Sequence, residues 1–159
     1  MPSRRALALF FLGTATVLGS PAPRAGEDAE SPPVRVAIKV DPVAVAAGGE
    51  AKATLQLTPN PGIKLNKYPK IKIRIPESAG LVAAAEASIG NPEPPPADNL
   101  DANYYHGAVD PLSVTFRVDH AAGKGKHAVA GELRYFYCVA ASGYCAPAKV
   151  AVTIPVTIR

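Results

Sequence analysis

Two cysteines, Cys138 and Cys145, are all that the 159-residue chain contains, and its only methionine is the initiator. The second scarcity removes a copper centre of the cupredoxin kind, which needs a Cys-His-Met cluster; no histidine follows Cys145 either. Zinc takes four ligands at close spacing, whereas His106, His120 and His127 fall in separate segments. There is no Ser/His/Asp arrangement and no phosphate-binding glycine loop, so hydrolytic and nucleotide chemistry lack their usual carriers. No basic block with interleaved aromatics offers itself to nucleic acid. Beyond the first 25 residues no apolar run is long enough to cross a membrane, so stable membrane insertion is not expected. Internal repeats are absent as well.

What is present begins with a leader. Arg4 and Arg5 precede the apolar run Ala6-Leu7-Ala8-Leu9-Phe10-Phe11-Leu12 and a small-residue tail, the layout of a secretory signal peptide over residues 1–25. Ser3-Arg4-Arg5 faintly resembles a twin-arginine signal, but the general secretory reading is preferred. The leader holds no cysteine and hence no lipoprotein attachment point. Its removal changes the charge. Taking Arg4, Arg5 and Arg24 from 17 basic residues leaves 14 against 13 acidic ones, so the formal +4 falls to +1. Export to the periplasm is the expectation, an oxidising compartment in which two cysteines can form a disulfide. Residues 26–33 read as a flexible linker, and residues 34–159 as a single domain.

Period-two alternation recurs along that domain. Val34 to Val40, Leu55 and Leu57 with their neighbours, Ile71 to Ile75, Leu112 to Val118 and Val150 to Ile158 each place apolar residues on one face. Gly48-Gly49, Asn60-Pro61-Gly62, Asp110-Pro111 and Gly123-Lys124-Gly125 supply the reversals between them. The fold class is therefore all-β, an immunoglobulin-like antiparallel β-sandwich. Pro155 predicts an edge or a bulge for the last strand. The alanine-rich stretch 81–87 is expected to be irregular, and the proline-rich stretch 91–99 an extended loop.

In the run from His127 to Cys138, Val129, Leu133, Tyr135 and Tyr137 share one parity and Cys138 takes the other, so Cys138 is expected to point away from the core. With Cys145 only seven positions on, the pair should bridge a local loop, with Gly143 easing the reversal. A static clamp across this loop of about eight residues would contribute roughly 2.5 kcal/mol. The other reading is redox exchange, for which an outward bridge is accessible. Six of the eight aromatics beyond the leader, Tyr104, Tyr105, Tyr135, Phe136, Tyr137 and Tyr144, lie near the cysteines or in one loop.

Three further matches carry a family resemblance. Pro61-Gly62 leads through Tyr68 into the strand Ile71 to Ile75. Asn103-Tyr104-Tyr105-His106-Gly107 precedes the strand Leu112 to Val118. In Tyr135 to Pro147 two cysteines flank a short loop ending in Gly, an aromatic and Cys, followed by Pro. From Pro61 onward the chain thus resembles the N-terminal periplasmic domain of DsbD, the transmembrane thiol:disulfide reductase. The resemblance implies an immunoglobulin-like fold and a redox-active Cys138–Cys145 disulfide with no other cofactor. It makes Cys145 the cysteine that joins partners and Cys138 the one that resolves the mixed disulfide. A cap loop of Asn103, Tyr104, Tyr105 and His106 would shield the bond, with Tyr104 or Tyr105 as the covering aromatic. The implied partners are thioredoxin-fold periplasmic proteins, with electrons from a separate membrane donor of the DsbD/CcdA type. The cysteine spacing is one residue longer than in the best-known member, and Asn103 stands where an acidic residue is expected.

Overall fold

Alternating apolar residues can be buried on one face only if strands pair and two such faces meet, and the computed structural model of the chain is built this way. It describes residues 32–96 and 104–159. The leader, most of the linker and Asn103 lie outside the described residues. Eight strands follow one another: β1 Val34–Asp41, β2 Glu50–Pro59, β3 Ile63–Leu65, β4 Ile71–Ile75, β5 Ala85–Ile89, β6 Leu112–Arg117, β7 Gly125–Val139 and β8 Cys145–Ile158. Among the described residues there is no helix, and hence none long and apolar enough to cross a membrane.

Two antiparallel sheets result. The smaller runs β1-β2-β6. In the larger, β8 pairs with β7 from Gly125↔Ile158 to Cys138↔Cys145 and so occupies one edge of β7 for fourteen residue pairs. A strand has only two edges, so β4 and β3 share the other, at 132–134 and 137–139 respectively, with β5 outside β4. The inner faces meet in one core that includes Leu55, Leu57, Ile71, Ile73, Ile75, Leu112, Leu133 and Ile154, all fully enclosed. The all-β sandwich expected from the alternation is the fold observed.

Three boundaries differ from the sequence reading. β5 begins in the alanine-rich stretch expected to be irregular and runs on to Ile89: its register sets Ala87 and Ala85, small and half-buried, against Ile73 and Ile75 of β4, and Ile89 against Ile71. Small inner side chains give alternation with little contrast, which hides the strand. β3 is only three residues long and lacks a readable period. β8 starts five residues before Val150, because Ala146 and Ala148 continue the inner face as half-buried alanines.

The expectation of an edge for Pro155 holds. Val139 N donates to Tyr144 O, so odd-numbered residues of β7 lie in hydrogen-bonded pairs and even-numbered ones in non-bonded pairs. Pro155 is opposite Ala128 and Pro147 opposite Phe136. Both proline nitrogens therefore face away from β7, where no hydrogen is needed.

Ile73 is fully enclosed between the sheets, and Ile73→Ala is expected to cost about 2–5 kcal/mol in urea unfolding. Thr153→Ala, on the exposed face of β8, should stay within about 0.5 kcal/mol. Equal losses at the two sites would contradict the described core.

Candidate functional site

The β7–β8 hairpin reverses through Ala140 to Tyr144. Gly143 N donates to Val139 O at 2.9 Å, Val139 N to Tyr144 O at 2.7 Å, and Ala140 N to Gly62 O at 2.8 Å. Gly143 holds φ at +69°, a left-handed conformation that costs a side-chain-bearing residue about 1 kcal/mol or more. Because 139 and 144 form a bonded pair, the next pair, Cys138 and Cys145, is a non-bonded one, in which Cα atoms and side chains approach most closely. Their Cα atoms are 4.0 Å apart, and a disulfide joins them. The bond therefore links directly opposed residues of adjacent strands.

The two sulfurs are not equivalent. Cys145 belongs to an exposed residue at the edge of the sheet, whereas Cys138 is 2 % exposed. The parity argument is correct, since Cys138 is buried yet lies outside the core cluster that takes Leu133 and Tyr135. Access to the bridge is confined to Cys145, because the outer face is covered at Cys138. Lys64 of β3 is the direct partner of Cys138. Two residues further on, on the same face, Asn66 is wholly buried, with Oδ1 3.5 Å from Cys138 Sγ and its main-chain N donating to Phe136 O.

A disulfide sulfur carries no hydrogen, so it can only accept. The orientation that bonds it has the Asn66 amide turned over, with Nδ2 donating. In the present orientation Nδ2 is enclosed without a partner among the described residues. Asn66 was not found by sequence reasoning. Its only trace was its position two after Lys64, which places it on the polar side of the alternation Ile63, Leu65.

The Tyr104–His106 segment is tied to the same place. Asn66 bridges to Tyr105, Lys67 N donates to Tyr104 O at 2.8 Å, and His106 N donates to Leu65 O at 2.9 Å. Opposed residues of an antiparallel bridge share a face, so Tyr105 lies on the face of Asn66, Lys64 and Cys138. Lys64 Nζ is 5.0 Å from the Tyr105 ring centroid, a cation–π distance, and Tyr104 packs edge-on against Tyr105 at 4.8 Å. Of the two tyrosines, Tyr105 is the one placed toward the disulfide side. Asn103 is outside the described residues.

The segment also encloses polar groups. Burial lowers the His106 pKa, Lys67 adds to the shift and Asp110 opposes it, and the ring Nε2 is enclosed without a partner among the described residues. Burial raises the Tyr135 pKa, with Tyr137 adding to it. The other histidines lie elsewhere: the His120 ring packs on Gly48, where an added Cβ would stand 2.2 Å from it, and His127 Nε2 meets Gly123 O at 2.7 Å. Among the described residues no group of three or more His, Cys, Asp or Glu side chains is gathered as metal ligands would be.

Fold and site together define an all-β sandwich domain with a disulfide between adjacent strands at the end of its longest hairpin. Compared with protein-family models, curated proteins and solved structures, the chain matches none.

The depressed pKa of His106 fixes the sign of a pH effect. An unfolded histidine binds a proton near 6.5, and the folded protein does so only at lower pH. Stability contributed by the neutral ring is therefore complete above that value and is lost as pH falls from it toward the folded pKa. Thermal melts from pH 7.5 to 5 should show a larger decline for the wild type than for His106→Gln; parallel curves would remove the effect.

Proposed function

We propose that this domain is a thiol–disulfide exchange module, exported by its leader to the periplasm, that relays reducing equivalents between thioredoxin-fold proteins through Cys138 and Cys145. The observation that carries the reading is the inequality of the sulfurs, one exposed and one buried against a carboxamide. A clamp gains nothing from this, since its stabilisation of about 2.5 kcal/mol depends on loop length and not on which sulfur meets solvent. Fourteen consecutive residue pairs already set the hairpin. The sequence resemblance to the DsbD N-terminal domain supports the same division of roles, with a separate membrane donor of the DsbD/CcdA type and thioredoxin-fold acceptors.

Exchange follows from the geometry. A partner thiolate attacks the exposed Cys145 Sγ, the Cys138–Cys145 bond breaks, and its electron pair leaves on Cys138 as a thiolate. The Asn66 amide, turned to present Nδ2, donates to that thiolate and lowers its pKa, which makes it a better leaving group. The partner's second thiolate then attacks its own sulfur in the mixed disulfide and releases Cys145. Two electrons have moved, and the two thiolates take protons from solvent. In reverse, Cys145 thiolate attacks a partner disulfide and Cys138 resolves the product. The Tyr104–His106 segment acts as the cap on the Cys138 side: Tyr105, on the face of Asn66 and Cys138, keeps stray thiols from the buried sulfur and leaves Cys145 to the partner.

Equilibration with thiol redox buffers should give a reduction potential of about −180 to −270 mV, whereas a value below about −300 mV marks a structural bond and refutes the proposal. Cys138→Ser should trap a thioredoxin-fold protein through Cys145, and Cys145→Ser should not; equal trapping by both would refute the assigned roles. In a Cys145→Ser background, Asn66→Ala should raise the Cys138 thiol pKa, read as a shift of the alkylation-rate profile to higher pH. An unmoved profile leaves Asn66 a packing residue only.

A further inference from the structure

The outer face of the larger sheet sets its charges in rows. Lys72, Arg134 and Lys149 stand directly opposite one another on β4, β7 and β8, an arrangement of like charges that costs stability. The next row holds Arg74 between Glu86 and Glu132. Glu132 pairs with both Arg134 and Lys149, and Glu86 pairs with Lys72 at 3.0 Å. Four cations thus share two carboxylates, and the exposed Lys70 adds a fifth positive charge. The surplus lies on the side toward the disulfide.

Between the cation row and the cysteines stand Phe136 and Pro147, directly paired with each other. With Pro69 they floor an open groove of about 500 Å³ that the cations rim. Its near end is one side-chain row from the exposed Cys145. Its cation row is four residues further along β8, about 14 Å at 3.4 Å per residue.

We infer that this groove receives the chain of the exchange partner, and that the partner carries carboxylates about four residues from its reactive cysteine. The inference rests on the exchange function proposed above and adds the chemistry by which a partner is selected. An extended segment whose cysteine meets Cys145 reaches the row after four residues, with apolar side chains over Phe136 and Pro147 on the way. Its carboxylates add to the two that Lys72, Arg134 and Lys149 already share. These cations are exposed, so the attraction acts mainly on encounter rate and is screened by salt.

The test uses three synthetic thiol peptides, identical except for Asp, Asn or Lys pairs at the fourth and fifth positions after cysteine. Each rate on the oxidised protein is divided by that peptide's rate on hydroxyethyl disulfide, which removes differences in thiol pKa. The Asp peptide should be about tenfold faster than the Lys peptide at low ionic strength, the gap shrinking to about twofold near 0.5 M salt. The Lys70→Glu, Lys149→Glu double variant should reverse the order. Exchange at equal normalised rates, or a gap indifferent to salt in the wild type, overturns this inference and leaves the exchange function standing. Equal rates together with binding to phosphatidylglycerol vesicles would assign the row to a lipid surface instead. No exchange with any peptide overturns both readings.

Discussion

The main-chain bond from Val139 N to Tyr144 O closes the β7–β8 hairpin and fixes its register. The rest of the site depends on that register. It makes 138/145 a non-bonded pair, which is why two cysteines six intervening residues apart meet face to face. It also aligns Phe136 with Pro147 and Arg134 with Lys149 on the same face. A slip of one residue would send Cys138 and Cys145 to opposite faces and return the outward charges toward the core. The burial of Leu133 and Ile154 opposes such a slip, so the core holds the chemistry in place without touching it.

The site combines a rigid and an added part. The rigid part is the hairpin, which exposes Cys145. The added part is the Tyr104–His106 segment, laid along 65–67 by two main-chain bonds and one bridge. It extends the sheet beyond β3 and encloses polar atoms of Asn66 and His106. An enclosed polar atom without a partner costs roughly 1–3 kcal/mol, and β7 carries one as well, the Tyr135 hydroxyl.

The strand Ile71–Ile75 was legible to the residue, because three isoleucines alternate with two cations and nothing competes with that period. The fold class, the local bridge and the freedom at Gly143 were likewise available from pattern and parity. β5 escaped because Ala85 and Ala87 mark its inner face too weakly. Asn66 was beyond reach for a different reason: its approach to Cys138 spans 72 positions and arises only when three residues of β3 join β7. The unequal burial of the sulfurs has the same source, since the covering comes from segments far away in the sequence. Local alternation reports which face a side chain takes; it carries no information about what is laid over that face.

Pro147 and Pro155 on the outer edge of β8 have one more effect. Among the described residues that edge has no strand partner between Cys145 and Thr153, and an unpaired edge of this length is a template on which another chain can build a ladder. Each proline deletes one of the outward amide hydrogens at the spacing such a ladder needs, and Val45 occupies the edge again at Thr157 and Arg159. Strand addition from molecule to molecule is thereby interrupted at three points along a single edge. The domain can leave Cys145 open to solvent without also offering its neighbours a seam along which copies would stack.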